Sequence, residues 1–229
     1  MLDFHVHLAR LPHSEELSRE LLEKGYSAVI VACEPWEWEK AERLLPIWKE
    51  SAIPCFGIHP MIVGTFDRKQ LDALKNLLEK YPKAFVGECG IDKRFPGYGP
   101  GEIQEKFFRF QARLALEFKR PLMLHVVGNH RRVLKILKEE GFSASGPQPI
   151  FHRFSGDRET VARALPLNAL FSLHPDSFRK NSTREALSRI PAERIRFETD
   201  ADEKFFPANA EALVNRVREV AGLYLDVRD

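Results

Sequence analysis

Near the start of the chain two histidines stand two residues apart, in Asp3-Phe4-His5-Val6-His7. In an extended strand, side chains two apart share a face, so His5 and His7 can both reach one bound ion. Further groups of the same chemistry follow at wide intervals: Glu88, His125, His152 and Asp200. Each falls at, or directly after, the end of a short apolar run. Burying them as unrelated polar groups costs several kcal/mol, and a shared metal centre removes that cost. Imidazole with carboxylate suits zinc, manganese or a similar divalent ion, and does not match the all-oxygen shell of calcium. These ligands exceed one tetrahedral site. Two divalent ions (zinc, manganese or magnesium) bridged by a carboxylate about 3.5–4 Å apart use them all and leave positions for water and substrate. Glu88 is the best bridge, because its strand lies between those that carry the histidines.

Such groups meet only if distant strands converge, and the chain alternates short β-rich runs with longer helical ones. The strand candidates are Leu2 to Val6, Ala28 to Cys33, Ile53 to Ile58, Ala84 to Glu88, Leu122 to Val126, Ile150 to His152, Ala169 to Leu173 and Ile195 to Glu198. Most are apolar throughout, as parallel strands covered on both faces should be. Ser14 is expected to cap a helix reaching Lys24, and Asp67 one reaching Lys80 before Pro82. From Glu102 to Phe118 runs an amphipathic helix whose Phe107, Phe108 and Phe110 read as packing residues. The expected fold is α/β, a single (β/α)₈ TIM barrel over 1–229, with its metal site at the C-terminal ends of the strands. The Pro- and Gly-rich loop from Arg94 to Gly101 follows a strand and belongs at that face; the loop from Gly141 to Pro149 precedes one and belongs at the other.

Composition narrows the class. The 229 residues, 44% hydrophobic and 30% charged, suit one barrel near the lower limit of size. With 35 Lys plus Arg against 33 Asp plus Glu, any attraction to phosphate has to be local. Cys33, Cys55 and Cys89 form no CxxC pair and read as buried, reduced thiols. The absence of a leader-like or membrane-length apolar stretch points to a cytoplasmic protein without a membrane partner, expected as a monomer.

The chain resembles the TatD family of metal-dependent hydrolases. The resemblance rests on Asp3-Phe4-His5-Val6-His7, Gly57-Ile58-His59-Pro60, Gly87-Glu88-Cys89-Gly90-Ile91-Asp92, Pro121-Leu122-Met123-Leu124-His125, His152-Arg153-Phe154-Ser155-Gly156 and Glu198-Thr199-Asp200. It implies one metal held by His5, His7, Glu88 and Asp200, and a second held by Glu88, His125 and His152. His59 is then a phosphate contact on the substrate side. The implied activity is that of a deoxyribonuclease: metal-dependent hydrolysis of DNA phosphodiesters, often from a 3′ end, with Asp200 and Glu88 catalytic and Asp200 positioning the water and taking its proton.

Some positions depart from the family pattern. After His125 comes Val126-Val127-Gly128, without the usual arginine, and Arg153 stands where the family usually shows cysteine. Arg153 either replaces that phosphate contact or is structural, since neighbours in a strand point oppositely. Lys93 and Arg94 are candidates for an anionic group, and His174 either lines the substrate pocket or ends a strand. Asp202 and Glu203 would disfavour a polyanion at the mouth. The expected substrate is DNA or a small phosphoester. The alternatives are a same-fold hydrolase of a small ester, amide, lactone or phosphorylated metabolite, and a barrel without turnover that binds through Trp36 and Trp38.

Overall fold

The computed structural model describes residues 1–65, 68–94 and 101–228. The Asp67 cap and most of the Arg94 to Gly101 loop lie outside the described residues. Eight strands form one parallel sheet in sequence order: β1 (Leu2–Val6), β2 (Ser27–Ala32), β3 (Ala52–Phe56), β4 (Phe85–Asp92), β5 (Leu122–Val127), β6 (Pro149–Phe151), β7 (Leu170–Leu173) and β8 (Ile195–Phe197). Alternating with them are α1 (Ser14–Glu23), α2 (Pro35–Trp48), α3 (Arg68–Lys80), α4 (Gly101–Glu117), α5 (His130–Glu140), α6 (Arg158–Ala164), α7 (Asn181–Leu187) and α8 (Ala210–Arg228). The ends of the sheet meet where Asp200 N donates to His5 O and His7 N to Ala201 O, both at 2.9 Å. That contact closes a TIM barrel, as the alternation of elements requires.

Two apolar cores follow from the closure. Phe4, Val29, Val31, Cys55, Met123, Ile150 and Leu170, from strands around the ring, pack in one small cluster. The larger core lies between strands and helices and includes Trp48, Phe108 and Leu137. Phe107 and Phe110 pack against it, as the amphipathic pattern of α4 implies. All three cysteines are buried and free. Trp38 is buried, its Nε1 donating to Ala32 O and Gly57 O, while Trp36 is exposed. No helix among the described residues is long and apolar enough to cross a membrane.

Local expectations fail at two places. Ser14 is the first helical residue of α1 rather than its cap; the cap position is His13, at φ 49°, and makes no side-chain cap bond. The chain turns sharply there, and a left-handed residue makes the turn in place of a hydroxyl. Strand β4 runs on to Asp92 instead of ending at Glu88. The polar Glu88 reads as a strand end in sequence, but its carboxylate is satisfied inside the barrel and the ladder continues beyond it. His125 likewise lies within β5.

Candidate active site

Glu88 is 2% exposed, and four imidazoles come within 3.5 Å of its carboxylate. Its two oxygens face different pairs. Oε2 lies 3.5 Å from Nε2 of both His5 and His7. Oε1 lies 2.7 Å from His125 Nδ1 and 2.6 Å from His152 Nε2. Backbone fit makes this possible: β4 shifts register between Val86 and Cys89, and β1 between Asp3 and Val6. Glycine lets β4 approach β5, since a Cβ on Gly90, at φ +144°, would stand 2.0 Å from His125 O.

The first pair has the dimensions of a metal site. His5 Nε2 and His7 Nε2 are 3.3 Å apart, and Asp200 Oδ1 is 3.6 and 3.8 Å from them. Ligands at 2.0–2.2 Å from a tetrahedral ion stand about 3.3–3.6 Å from one another. His5 Nδ1 and His7 Nδ1 make no hydrogen bond among the described residues, so the polar contacts of both rings fall on Nε2. Burial, helped by the neighbouring His152, lowers the pKa of His5, which favours the neutral imidazole a cation needs.

On the second side the protein sets the tautomers. His125 Nε2 lies 2.9 Å from Asp92 Oδ2, and His152 Nδ1 lies 3.3 Å from Glu198 Oε1. A neutral ring that donates outward to a carboxylate turns its lone pair inward, here from His125 Nδ1 and His152 Nε2 toward Glu88. Burial would lower the pKa of His152, but the charges and hydrogen bonds of Glu88 and Glu198 outweigh it and hold it well above the usual range. A cation would compete with that proton for the same lone pair.

His59 sits differently. Its Nδ1 accepts the Met61 N–H at 3.0 Å, which leaves the proton of a neutral ring on Nε2. That Nε2 is 3.3 Å from His125 Nδ1 and 3.8 Å from Glu88 Oε1. Burial, with His125 nearby, lowers its pKa to about 3, so the ring is held neutral.

A cleft of about 460 Å³ opens over these groups, lined among others by Arg10, His59, Arg94, Arg153, Asp202 and Glu203. Arg153 follows the short β6 at φ 43°, and this left-handed turn, not strand alternation, brings its side chain to the rim. It donates from Nη1 to Asp200 Oδ2 at 2.7 Å and also bonds Asp176. Arg94 lines the cleft but is tied to Asp92 at 2.7 Å. Lys93 is exposed and is not among the lining residues; its carbons pass 3.6–3.7 Å from where a Cβ on Gly128 would stand. His174 does not line the cleft either. Its Nδ1 accepts from Asp176 N at 3.2 Å, capping the turn whose Asp176 grips Arg153.

Several further residues support the site. Asp3 accepts from Tyr26 Oη, from Thr199 N and Oγ1, and from His5 N, joining β1 to the segment before Asp200. Burial pushes its carboxyl up to about 7, against those hydrogen bonds. Gln111, on α4, accepts from Ile58 N at 2.8 Å and donates to Ile58 O at 3.1 Å, fixing the residue before His59. Two helical turns earlier, Gln104 makes the same clamp on Asp92, with bonds of 2.9 and 3.2 Å. The clue available in sequence was a polar residue on an otherwise apolar helix face.

Comparison with known proteins agrees with this fold. The family described as TatD related DNase matches residues 2–225. The chain is 27% identical over 208 residues to the 3′-5′ ssDNA/RNA exonuclease TatD of Pantoea ananatis, covering 88% of this chain and 79% of that protein. It is 28% identical over 206 residues to the uncharacterized metal-dependent hydrolase YabD of Bacillus subtilis, covering 87% and 79%. In three dimensions it is similar to a TatD homologue from Escherichia coli, at a TM-score of 0.79, with 23% identity and coverage of 99% and 95%.

Proposed function

Since the chain belongs to the TatD family of metal-dependent hydrolases, we propose that it hydrolyses phosphodiester bonds of nucleic acid with two divalent ions held across Glu88. The observation that carries this is the division of Glu88: one oxygen toward His5 and His7, the other toward His125 and His152. Asp200 completes the first ligand set. Zinc, manganese and magnesium are the candidate ions, and bound there they would supply a water acidic enough to attack near neutral pH and offset charge on the phosphoryl oxygens.

The chain's own groups do the rest. Asp200, with Oδ1 toward the first pair, positions the attacking water and takes its proton. His59 donates from Nε2 to a non-bridging phosphoryl oxygen. Arg153 and Arg94, each held by a carboxylate, present guanidinium charge at the rim for the same anion. Asp92 and Glu198 keep His125 and His152 in the ligand tautomer.

The relatives named as exonucleases favour nucleic acid as substrate. A panel of single-stranded DNA labelled at the 3′ end, small phosphodiesters, phosphomonoesters, carboxylic esters and lactones tests the reaction class. Release of nucleotides from the 3′ end is expected, and turnover confined to carboxylic esters or lactones overturns the reading. Asp200→Asn is expected to lower turnover by at least about 100-fold with the fold intact; activity within a few-fold of wild type removes Asp200 from the role of base.

A further inference from the structure

Three cavities lie end to end from the barrel mouth along its flank. The cleft over Glu88 shares Ser155 and Lys180 with a second cavity of about 270 Å³. That one shares Arg131, Leu134 and Arg163 with a third, of about 570 Å³, beside α5. The charge of the lining changes along the path. In the cleft, cations and carboxylates nearly balance. The outermost cavity is lined by Arg131, Arg132, Lys135, Lys138 and Arg163 against the single carboxylate of Glu139.

Arg131, Lys135 and Lys138 recur at the spacing of one helix face and are all exposed. From the first to the last the helix rises about 10 Å. Cations outnumber their partners here: Arg131 and Arg163 share Glu159, at 3.0 and 3.1 Å, and Lys135 stands 3.7 Å from Glu139. Pairs this exposed are held weakly and exchange readily for phosphate. No Phe, Tyr or Trp lines either outer cavity among the described residues. Such a lining grips a charged backbone and leaves the bases unread.

We propose that this groove binds the phosphate backbone of a single-stranded nucleic acid whose end lies in the cleft. The inference rests on the phosphodiesterase reading above and adds the path that the rest of the strand takes. Lys180, at the junction of the first two cavities, meets the strand as it leaves the cleft. The continuity of the three cavities and the one-sided charge of the last distinguish this path from the rest of the rim, where Asp202 and Glu203 face the cleft.

Fluorescence anisotropy with hydrolysis-resistant phosphorothioate oligothymidylates of two and eight nucleotides, on the metal-loaded protein, tests the track. The octamer is expected to bind about tenfold more tightly than the dimer at low salt. The three exposed cations of α5 contribute about −2 to the slope of log K against log salt for a single strand. The double variant Lys135→Glu, Lys138→Glu should remove most of the length dependence and reduce the slope by about 1.4. Its turnover of bis(p-nitrophenyl) phosphate should match wild type, which also checks the fold. Equal binding of the two lengths, or a variant that binds the octamer as wild type does, overturns the track. The two readings fail separately: length-independent binding with hydrolysis retained removes the track alone, and length-dependent binding by a protein that hydrolyses no phosphodiester removes the reaction alone.

Discussion

Arg153 and Asp200 are bonded to each other, Nη1 to Oδ2 at 2.7 Å, and both hold a left-handed backbone, at φ 43° and 48°. Left-handed conformations of non-glycine residues cost about 1–3 kcal/mol each and persist where surrounding structure over-determines them. Here the surroundings are mutual. Asp200 N donates to His5 O, Arg153 N donates to Glu198 Oε1, and the side chains then meet across the cleft. Asp200 thereby turns one oxygen to His5 and His7 and the other to Arg153. Burial would raise its pKa, but the fields of His152, His5 and His7 outweigh that and hold it below the usual carboxylate range.

Arg153→Met removes both the grip on Asp200 and the rim charge while keeping much of the side chain's bulk. Because the guanidinium is partly exposed, the effect lies at the low end for a charged hydrogen bond, about 1.5 kcal/mol or roughly tenfold in kcat/KM for a phosphodiester. Steady-state kinetics at matched metal content measures it. An unchanged kcat/KM assigns Arg153 to structure only.

Metal removal should act on stability as well as turnover. Dialysis against a chelator is expected to abolish activity, lower Tm by several degrees and release two equivalents of divalent metal per chain, with both properties returning on re-addition. Binding an ion to the folded state alone at 100 times its Kd contributes about 2.7 kcal/mol. Elemental analysis and thermal melts with and without chelator decide this. One equivalent would restrict the centre to a single ion, and none would remove the centre altogether.

Gln111→Leu leaves Ile58 N and O without partners in a buried position. The expected loss is about 1–3 kcal/mol in urea unfolding. If the clamp also positions His59, KM should rise in Gln111→Leu more than in a variant of similar stability loss elsewhere in the large core, such as Leu137→Ala. Equal KM values in the two would make the clamp purely structural.

His130 makes the stability pH-dependent away from the carboxylate centre. It packs beside Phe151 and Phe154, and burial, set against Asp157 and reinforced by Lys180, lowers its pKa to about 4. The folded state therefore holds His130 neutral while the unfolded chain, near 6.5, takes up the proton first. This contribution is complete above pH 6.5 and is lost as pH falls toward 4, by up to about 3 kcal/mol. In His130→Leu, unfolding free energy measured between pH 7 and 4 should decline less steeply than in wild type. A parallel decline in both assigns the acid sensitivity to other groups.

The strands were legible because parallel strands buried on both faces are continuous apolar runs. Of the eight, all but β4 were placed with ends within two residues, and β4 misled because Glu88 interrupts its run. His5, His7, Glu88, His125, His152 and Asp200 stood out for the opposite reason, as polar groups at the ends of runs that should otherwise be apolar, and the geometry brings all of them to one centre. Asp92, Glu198, Gln104 and Gln111 were not separated from their neighbours as supporting groups. Their roles consist of hydrogen bonds to partners 12 to 53 residues away, and no local pattern marks such a bond.

Periodicity and residue type by themselves determined which elements form and which side chains can ligate, because both are properties of short segments. Tertiary closure alone decided which oxygen of Glu88 faces which histidines, which imidazole nitrogen carries the proton, and that Arg153 turns toward Asp200. Those outcomes depend on distances between segments that are far apart in the chain, and such distances exist only once the barrel has closed.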